Sequence, residues 1–307
     1  MVLGTGGTIA GRAATPSSLA YESARIGVDA LVAALPAHRK VASEQVAQLD
    51  SKDMDFPTWK RLASAVERHL NRAEVAGVVV THGTDTIEET AYFLSRVVDA
   101  TRPVVLTAAM RPATSFEADG PRNLADAIVL AGAGSSEGAT GVLVAFAGEI
   151  HAARDVRKAH PYRLDAFTSG EAGPLGRVAE GRIAMIRPWP IVAPAIDVAS
   201  LPDDAASWPW IEIVTSVAGS DGRVVEMLAE RGVAGIVVAA TGNGTMHRAL
   251  EDALVHAMAR GVAVLRSTRC LDGRIVEDEA GRFPSAGDLT PAKARIELIL
   301  DLLSRRA

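Results

Sequence analysis

The sequence predicts an α/β fold, with a large N-terminal domain built on a mainly parallel sheet and a smaller C-terminal α/β domain. Three observations predict it. Short β-branched apolar runs alternate with longer segments of helical period, as βα repeats do. The runs are apolar throughout instead of alternating with polar residues, as strands covered on both faces read. A proline-rich stretch with neither period, 187 to 208, separates two such series. The expected boundaries are 1–188 for the N-terminal domain, 189–208 for a linker and 209–307 for the C-terminal domain.

Taken in order, "VLGTGGTIAG" (2–11) reads as a strand that runs into paired glycines. In "FPTWKRLASAVERHL" (56–70), Leu62, Val66 and Leu70 share one face, Asp55 is placed to cap free N–H groups, and Pro57 is tolerated in the first turn. "GVVVTHG" (77–83), "RPVVLTAAM" (102–110) and "GVLVAF" (141–146) are buried strands, and "DTIEETAYFLSRVV" (85–98) is a helix with Asp85 at its N-terminus. In the second series "WIEIVTSV" (210–217), "AGIVVAAT" (234–241) and "VAVLRST" (262–268) are strands. The helix 246–261 sets Leu250, Leu254 and Met258 on one stripe, with Gly261 at its C-cap.

Composition narrows the function. The net charge is −5, and the arginines and five lysines are scattered, which argues against a nucleic-acid or anionic-membrane surface and for a small-molecule partner. The single cysteine, Cys270, allows no intramolecular disulfide and no cysteine-based metal site. No apolar run is long enough to span a bilayer, and no leader precedes the first glycines, so a cytoplasmic location is expected.

In open α/β sheets ligands bind at the carboxyl ends of strands, and three clusters stand there: Thr5–Gly11, "THGTDT" (81–86) and "AAMRPATSFEADGPRN" (108–123). The first lacks the lysine of a phosphate loop and the third glycine of a dinucleotide fingerprint, since Ile9 stands in that place. A structural turn is its plain alternative. Thr84 and Asp85 add a second hydroxyl and a carboxylate beside a helix N-terminus, a set that suits acyl transfer without a metal. Asp85 also reads as a plain N-cap, and His82 as a hydrogen-bonded core residue, because the other six histidines show no ligand spacing with it.

"TGGTIAG" (5–11), "THGTDTIEETAYFL" (81–94), "AMRPATSFEADGPRNL" (109–124) and "RDVRK" (154–158) together resemble the bacterial-type L-asparaginases, with "GPLG" (173–176) and "LTPAKAR" (289–295) extending the similarity. The resemblance implies an asparaginase-like fold and an amidohydrolase that needs neither cofactor nor metal. It would convert L-asparagine to L-aspartate and ammonia through a threonine acyl-enzyme. It makes Thr8 the nucleophile, assisted by Tyr21 on the following loop, with Thr84, Asp85 and Lys158 as the second catalytic group and Thr5 as a supporting residue. Ser51, Asp85 and Ala109 would contact the substrate's carboxylate, α-amino group and amide, with Lys52, Gly83 and Thr84 also at the substrate. It also implies homotetramers or homodimers whose sites lie between subunits, the N-terminal domain being the catalytic one.

Three positions depart from the family pattern, all toward the substrate's α-amino and α-carboxylate end. "SKD" (51–53) puts Lys52 where a neutral amide is usual; "TGNGT" (241–245) offers Thr245 where an asparagine is usual, keeping Asn243; and Glu277 is one counterpart of a glutamate lent by the neighbouring subunit. The expectation is weaker affinity for L-asparagine or a different preferred amide. Alternatives are a glutaminase-asparaginase, an amidase acting on glutamine-charged RNA, which the lack of a basic face opposes, and a non-catalytic amino-acid sensor, which would have no need of Thr8 and Lys158.

Overall fold

The computed structural model describes residues 1–15, 21–35, 41–134, 136–276 and 282–306. The chain forms two compact units, Met1–Asp203 and Asp204–Ala307. In the first, strands β1 (Val2–Gly6), β2 (Ser43–Leu49), β3 (Val78–Thr81), β4 (Val104–Thr107), β5 (Val142–Phe146), β6 (Glu149–Ala152), β7 (Gly176–Ala179) and β8 (Arg182–Met185) form one sheet. Helices α1 (Val28–Ala33), α2 (Phe56–Leu70), α3 (Ile87–Val97) and α4 (Gly120–Gly132) connect its first five strands.

The strand order is β8-β7-β6-β5-β4-β3-β1-β2. Pairing is parallel from β2 through β5 and antiparallel from β5 to β8. The expected mainly parallel sheet is therefore present, with an antiparallel extension in which Ala147–Gly148 alone joins β5 to β6 and Glu180–Gly181 alone joins β7 to β8, leaving no room for a crossover helix at either turn. The apolar runs of β3, β4 and β5 are buried along their full length. Polar residues in β2 and β8 mark the partly exposed edges.

The chain leaves β1 to β2 on one side and returns to β3 on the other, so the order reverses between β1 and β3. That switch point opens a crevice at the carboxyl ends of both strands.

Helix α2 starts as expected: Asp55 Oδ1 accepts from the Thr58 N–H at 2.8 Å, and Leu62, Val66 and Leu70 are buried. Its Trp59 stacks on Phe93 of α3 with ring centroids 4.8 Å apart. Helix α3 corrects one expectation. It begins at Ile87 after a Thr86 N-cap that makes no side-chain cap bond. Asp85 stands before the helix, and its carboxylate is engaged elsewhere. Residues 189–203 of the stretch expected as a linker belong to the first unit, with Val198 and Leu201 buried and Leu201 O accepting from Lys60 Nζ at 2.5 Å, and residues 204–208 belong to the second.

The second unit holds β9 (Ile211–Thr215), α5 (Arg223–Glu230), β10 (Gly235–Ala240), α6 (Arg248–Ala259), β11 (Ala263–Thr268) and α7 (Pro291–Ser304). Its sheet is parallel in the order β9-β10-β11. Leu250 and Leu254 of α6 are buried, but Met258 is 39% exposed, because the buried stripe runs through Ala253 and Ala257 instead. Gly261, φ +90°, follows the helix end. Among the described residues no helix is long and apolar enough to cross a membrane.

Candidate active site

The strand β1 ends in Gly6, and Gly6 and the following Gly7 have positive φ, +108° and +79°. They turn the chain into the short 3-10 helix Thr8–Ala10. Gly7 is also required by proximity: a Cβ there would lie 2.4 Å from the main chain of Gly83, and one on Gly83 would lie 2.4 Å from Ser51 Oγ. The exits of β1 and β3 thus touch backbone to backbone, which no larger residue permits. Thr5 Oγ1 donates to Thr81 O at 2.9 Å and joins β1 to β3 from inside the core.

Buried Thr8 lies with its Oγ1 2.8 Å from Tyr21 Oη. Tyr21 is held on a two-stranded ribbon, Tyr21–Glu22 against Arg12–Ala13. That ribbon is tied to the loop after β4, for the Ala13 N–H donates to Thr114 Oγ1 at 2.9 Å.

Thr84 and Asp85 meet Lys158. The Lys158 Nζ donates to Thr84 Oγ1 at 2.9 Å and to Asp85 Oδ1 at 2.5 Å. Lys158 reaches them from a second ribbon, Arg157–Lys158 against Phe167–Thr168, and its own N–H donates to Glu88 Oε2 at 2.6 Å. The Asp85 side chain is 55% exposed and that of Lys158 19%, so the pair adds little to stability. Its position on a hydroxyl has a chemical use: an amine bonded to both a hydroxyl and a carboxylate can pass a proton between them.

His82 is fully buried, and its Nδ1 lies 2.8 Å from Gly83 O. A carbonyl only accepts, so Nδ1 carries the proton and Nε2 accepts from Thr90 Oγ1 at 3.0 Å, while Thr90 accepts in turn from Trp59 Nε1 at 2.8 Å. Burial pushes the His82 pKa down to about 4. The imidazole is a neutral brace beneath the Gly83 turn, as the plain reading expects.

A cavity of about 470 Å³, within the ordinary range for small-ligand sites, is lined by Thr8, Tyr21, Thr84, Asp85 and Lys158. The structure brings all five sequence-predicted catalytic residues to it. The substrate-contact residues stand differently. Ser51, Lys52, Gly83 and Ala109 are outside its lining. Ser51 is buried, with its Oγ accepting from the Asp85 N–H at 3.3 Å. Ala109 is fully buried. Lys52 Nζ turns to Asp50 Oδ2 at 2.8 Å, and that hydrogen bond raises its pKa above the usual lysine value.

The wall that sequence reasoning missed comes from the loop after β4 and from the 158–162 segment. Arg111 stacks its guanidinium 4.0 Å over the Tyr162 ring and donates to Tyr162 O at 2.9 Å, and Phe116 and Glu117 stand beside them. Asp119 fixes that loop by accepting from the Met110 and Arg111 N–H groups at 2.9 Å, with its carboxyl pushed up by burial. The motif 109–124 marked the loop, but nothing in it says which side chains face inward. A second cavity, of about 370 Å³ between α3 and Pro188–Ala193, contains none of the five catalytic candidates.

In the second unit Asn243 Nδ2 donates to Val276 O at 2.9 Å and Asn243 Oδ1 accepts from the Val276 N–H at 2.7 Å, while Thr245 Oγ1 lies 2.9 Å from Thr241 Oγ1. Glu277 lies outside the described residues.

Two family models match the chain, "Asparaginase, N-terminal" over residues 1–190 and "Glutaminase/Asparaginase C-terminal domain" over residues 210–306. The chain is 37% identical to a probable periplasmic L-asparaginase of Haemophilus influenzae, covering 98% of this chain and 87% of that one. It is 36% identical to a glutaminase-asparaginase of Pseudomonas fluorescens, covering 96% and 84%. A solved structure of a probable cytoplasmic L-asparaginase from Campylobacter jejuni superposes with a TM-score of 0.90 at 37% identity, over 98% of this chain and 94% of that one. With both halves matched in order, and relatives similar over nearly its full length, the chain belongs to the asparaginase and glutaminase-asparaginase family.

Proposed function

We propose that the chain hydrolyses the side-chain amide of L-asparagine to L-aspartate and ammonia through an acyl-enzyme on Thr8. One observation carries the reading: two threonine hydroxyls open on a single cavity, each in hydrogen-bond reach of its own proton-handling group, Tyr21 for Thr8 and Lys158 for Thr84. Thr8 Oγ1 attacks the amide carbon while its proton passes through Tyr21 Oη toward the leaving nitrogen. The C–N bond breaks, ammonia departs and an ester remains on Thr8. Water held by Thr84 attacks the ester as its proton passes to the uncharged amine of Lys158; the acyl C–Oγ1 bond breaks, Thr8 Oγ1 regains a proton through Tyr21 Oη, Lys158 gives up the proton it took, and the acid leaves. Asp85 holds Lys158 Nζ in place and meets the substrate's α-amino group, and the carboxylate end lies toward Ser51.

A relative named glutaminase-asparaginase supports acceptance of L-glutamine as well, one methylene longer. The N-terminal unit is the catalytic one in this reading. Homodimers or homotetramers would let a neighbour's C-terminal unit complete the site with its exposed 241–245 turn, and the exposed thiol of Cys270 suits a reducing cytoplasm. The experiment is ammonia release from L-asparagine, L-glutamine and D-asparagine by the wild type, Thr8→Val and Lys158→Met. Wild-type turnover of L-asparagine lost in both variants supports the reading. A folded wild type inert to all three amides overturns it.

A further inference from the structure

Lys158 stands on the ribbon Arg157–Lys158 against Phe167–Thr168, and residues 159–166 close that ribbon into a hairpin. The hairpin is bonded from within. The Ala159 and His160 N–H groups donate to Ala166 O at 2.7 and 3.1 Å, and those of Tyr162 and Arg163 donate to His160 Nδ1, both at 3.0 Å. Residues 161–165 are exposed. Among the described residues, the one hydrogen bond that reaches 159–166 from outside the hairpin comes from Arg111. Its Nη1 donates to Tyr162 O at 2.9 Å while its guanidinium covers the Tyr162 ring, 4.0 Å from the centroid. Glu88 holds the hairpin at its base, through the Lys158 N–H, and Arg111 holds it at its tip. Two fixed points set a direction where one leaves a pivot.

Arg111 itself stands on a firm base. Asp119 accepts from its N–H at 2.9 Å, and Asn123 Nδ2 of α4 donates to Asp119 Oδ2 at 3.2 Å. The same loop after β4 holds the ribbon of Tyr21: the Ala113 N–H donates to Gly11 O at 3.1 Å, the Ala13 N–H donates to Thr114 Oγ1 at 2.9 Å, and Ala13 pairs with Tyr21. One loop therefore ties both arms that carry proton-handling groups, and on the Lys158 side it does so through a single side chain. Transfer between such groups depends steeply on placement, and an error of about 1 Å can cost on the order of 100-fold in rate. We propose that Arg111 is a positioning residue for Lys158: its clasp on Tyr162 keeps Lys158 Nζ on Thr84 Oγ1, and its loss slows hydrolysis of the ester more than formation of the ester. The inference rests on the amidohydrolase reading, in which Lys158 serves the second half of the reaction.

The test uses L-asparagine with the wild type, Arg111→Ala, Arg111→Lys and Tyr162→Ala, the last at a position 53% exposed where folding is not at stake. It combines steady-state ammonia release, rapid-quench detection of the ester, and amide hydrogen exchange of the 159–166 segment read by mass spectrometry. Arg111→Ala should lower kcat about tenfold and KM with it, so that kcat/KM, which reports steps up to ammonia release, stays near the wild-type value. The ester should accumulate, and exchange in 159–166 should quicken. Tyr162→Ala should show the same pattern at smaller size, and Arg111→Lys, which keeps a cation and a donor, should recover most of kcat. A fall of kcat and kcat/KM in step without accumulated ester, or unchanged exchange in 159–166, overturns the proposal while wild-type turnover keeps the amidohydrolase reading. A folded wild type that releases no ammonia overturns both.

Discussion

At the scale of single residues, the two hydroxyls separate by partner. Among the described residues Thr8 Oγ1 lies at hydrogen-bond distance from Tyr21 Oη, whereas Thr84 is bonded by a lysine that also holds a carboxylate. If Thr8 carries the acyl group, Thr8→Val, which keeps the shape and removes the oxygen, should lower kcat by about three orders of magnitude or more without loss of fold. Tyr21→Phe deletes the hydroxyl 2.8 Å from Thr8 Oγ1 and should lower kcat by about 100-fold with a smaller change in KM. Rapid-quench detection of the ester is the sharper measurement: it should be absent in Thr8→Val and accumulate in Lys158→Met. The candidacy of Thr8 was legible in the sequence because "TGGTIAG" matches a family motif; the glycines alone read as a structural turn. Glu88, which holds the Lys158 N–H, was not, since a glutamate in the first turn of a helix has a sufficient local explanation in the helix dipole.

At the scale of elements, the active-site turns are pressed together. A Cβ on Gly83 would stand 2.4 Å from Ser51 Oγ, so Gly83→Ala must push the β3 exit away from the turn that carries Ser51. The expected cost is about 1–3 kcal/mol in chemical denaturation, with a larger proportional loss in kcat/KM than in stability-matched surface variants. Beneath that turn, His82 stays neutral in the folded chain with a pKa pushed down to about 4 from an ordinary value near 6.5. The unfolded chain then binds a proton that the native chain does not. His82 leaves stability intact above about pH 6.5 and removes roughly 1.4 kcal/mol per pH unit as the pH falls from there toward 4. Denaturation at pH 7 and pH 5 should show this loss in the wild type and a shallower dependence in His82→Gln; parallel slopes would assign the loss to other groups. Helix α2 is a control element: Asp55→Ala removes a cap and should cost about 1 kcal/mol without touching activity.

At the scale of the whole molecule, the chain supplies two compact units, and the five catalytic candidates all belong to the first. If a neighbouring subunit completes the site, specific activity should fall on dilution in step with dissociation measured by light scattering, and both should recover on concentration. Constant specific activity across the monomer range would show that one chain is sufficient.

How much was readable follows from which forces act locally. Strands β3, β4 and β5 and helix α2 were legible because runs buried on both faces, and a helix with one apolar stripe and an aspartate cap, carry their burial pattern in the residues themselves. The candidate residues Thr8, Tyr21, Thr84, Asp85 and Lys158 were legible because a family motif keeps chemistry at fixed places in the chain. Tertiary structure alone decided the rest. Asp85 reads as a helix cap until Lys158, 73 residues away, takes its carboxylate. Met258 reads as core until small alanines on the next stripe bury in its place. Lys52 reads as a repulsive charge in the site until Asp50 turns it outward. In each case the deciding partner is distant in sequence or set by side-chain direction, and neither distance nor direction is encoded in local periodicity.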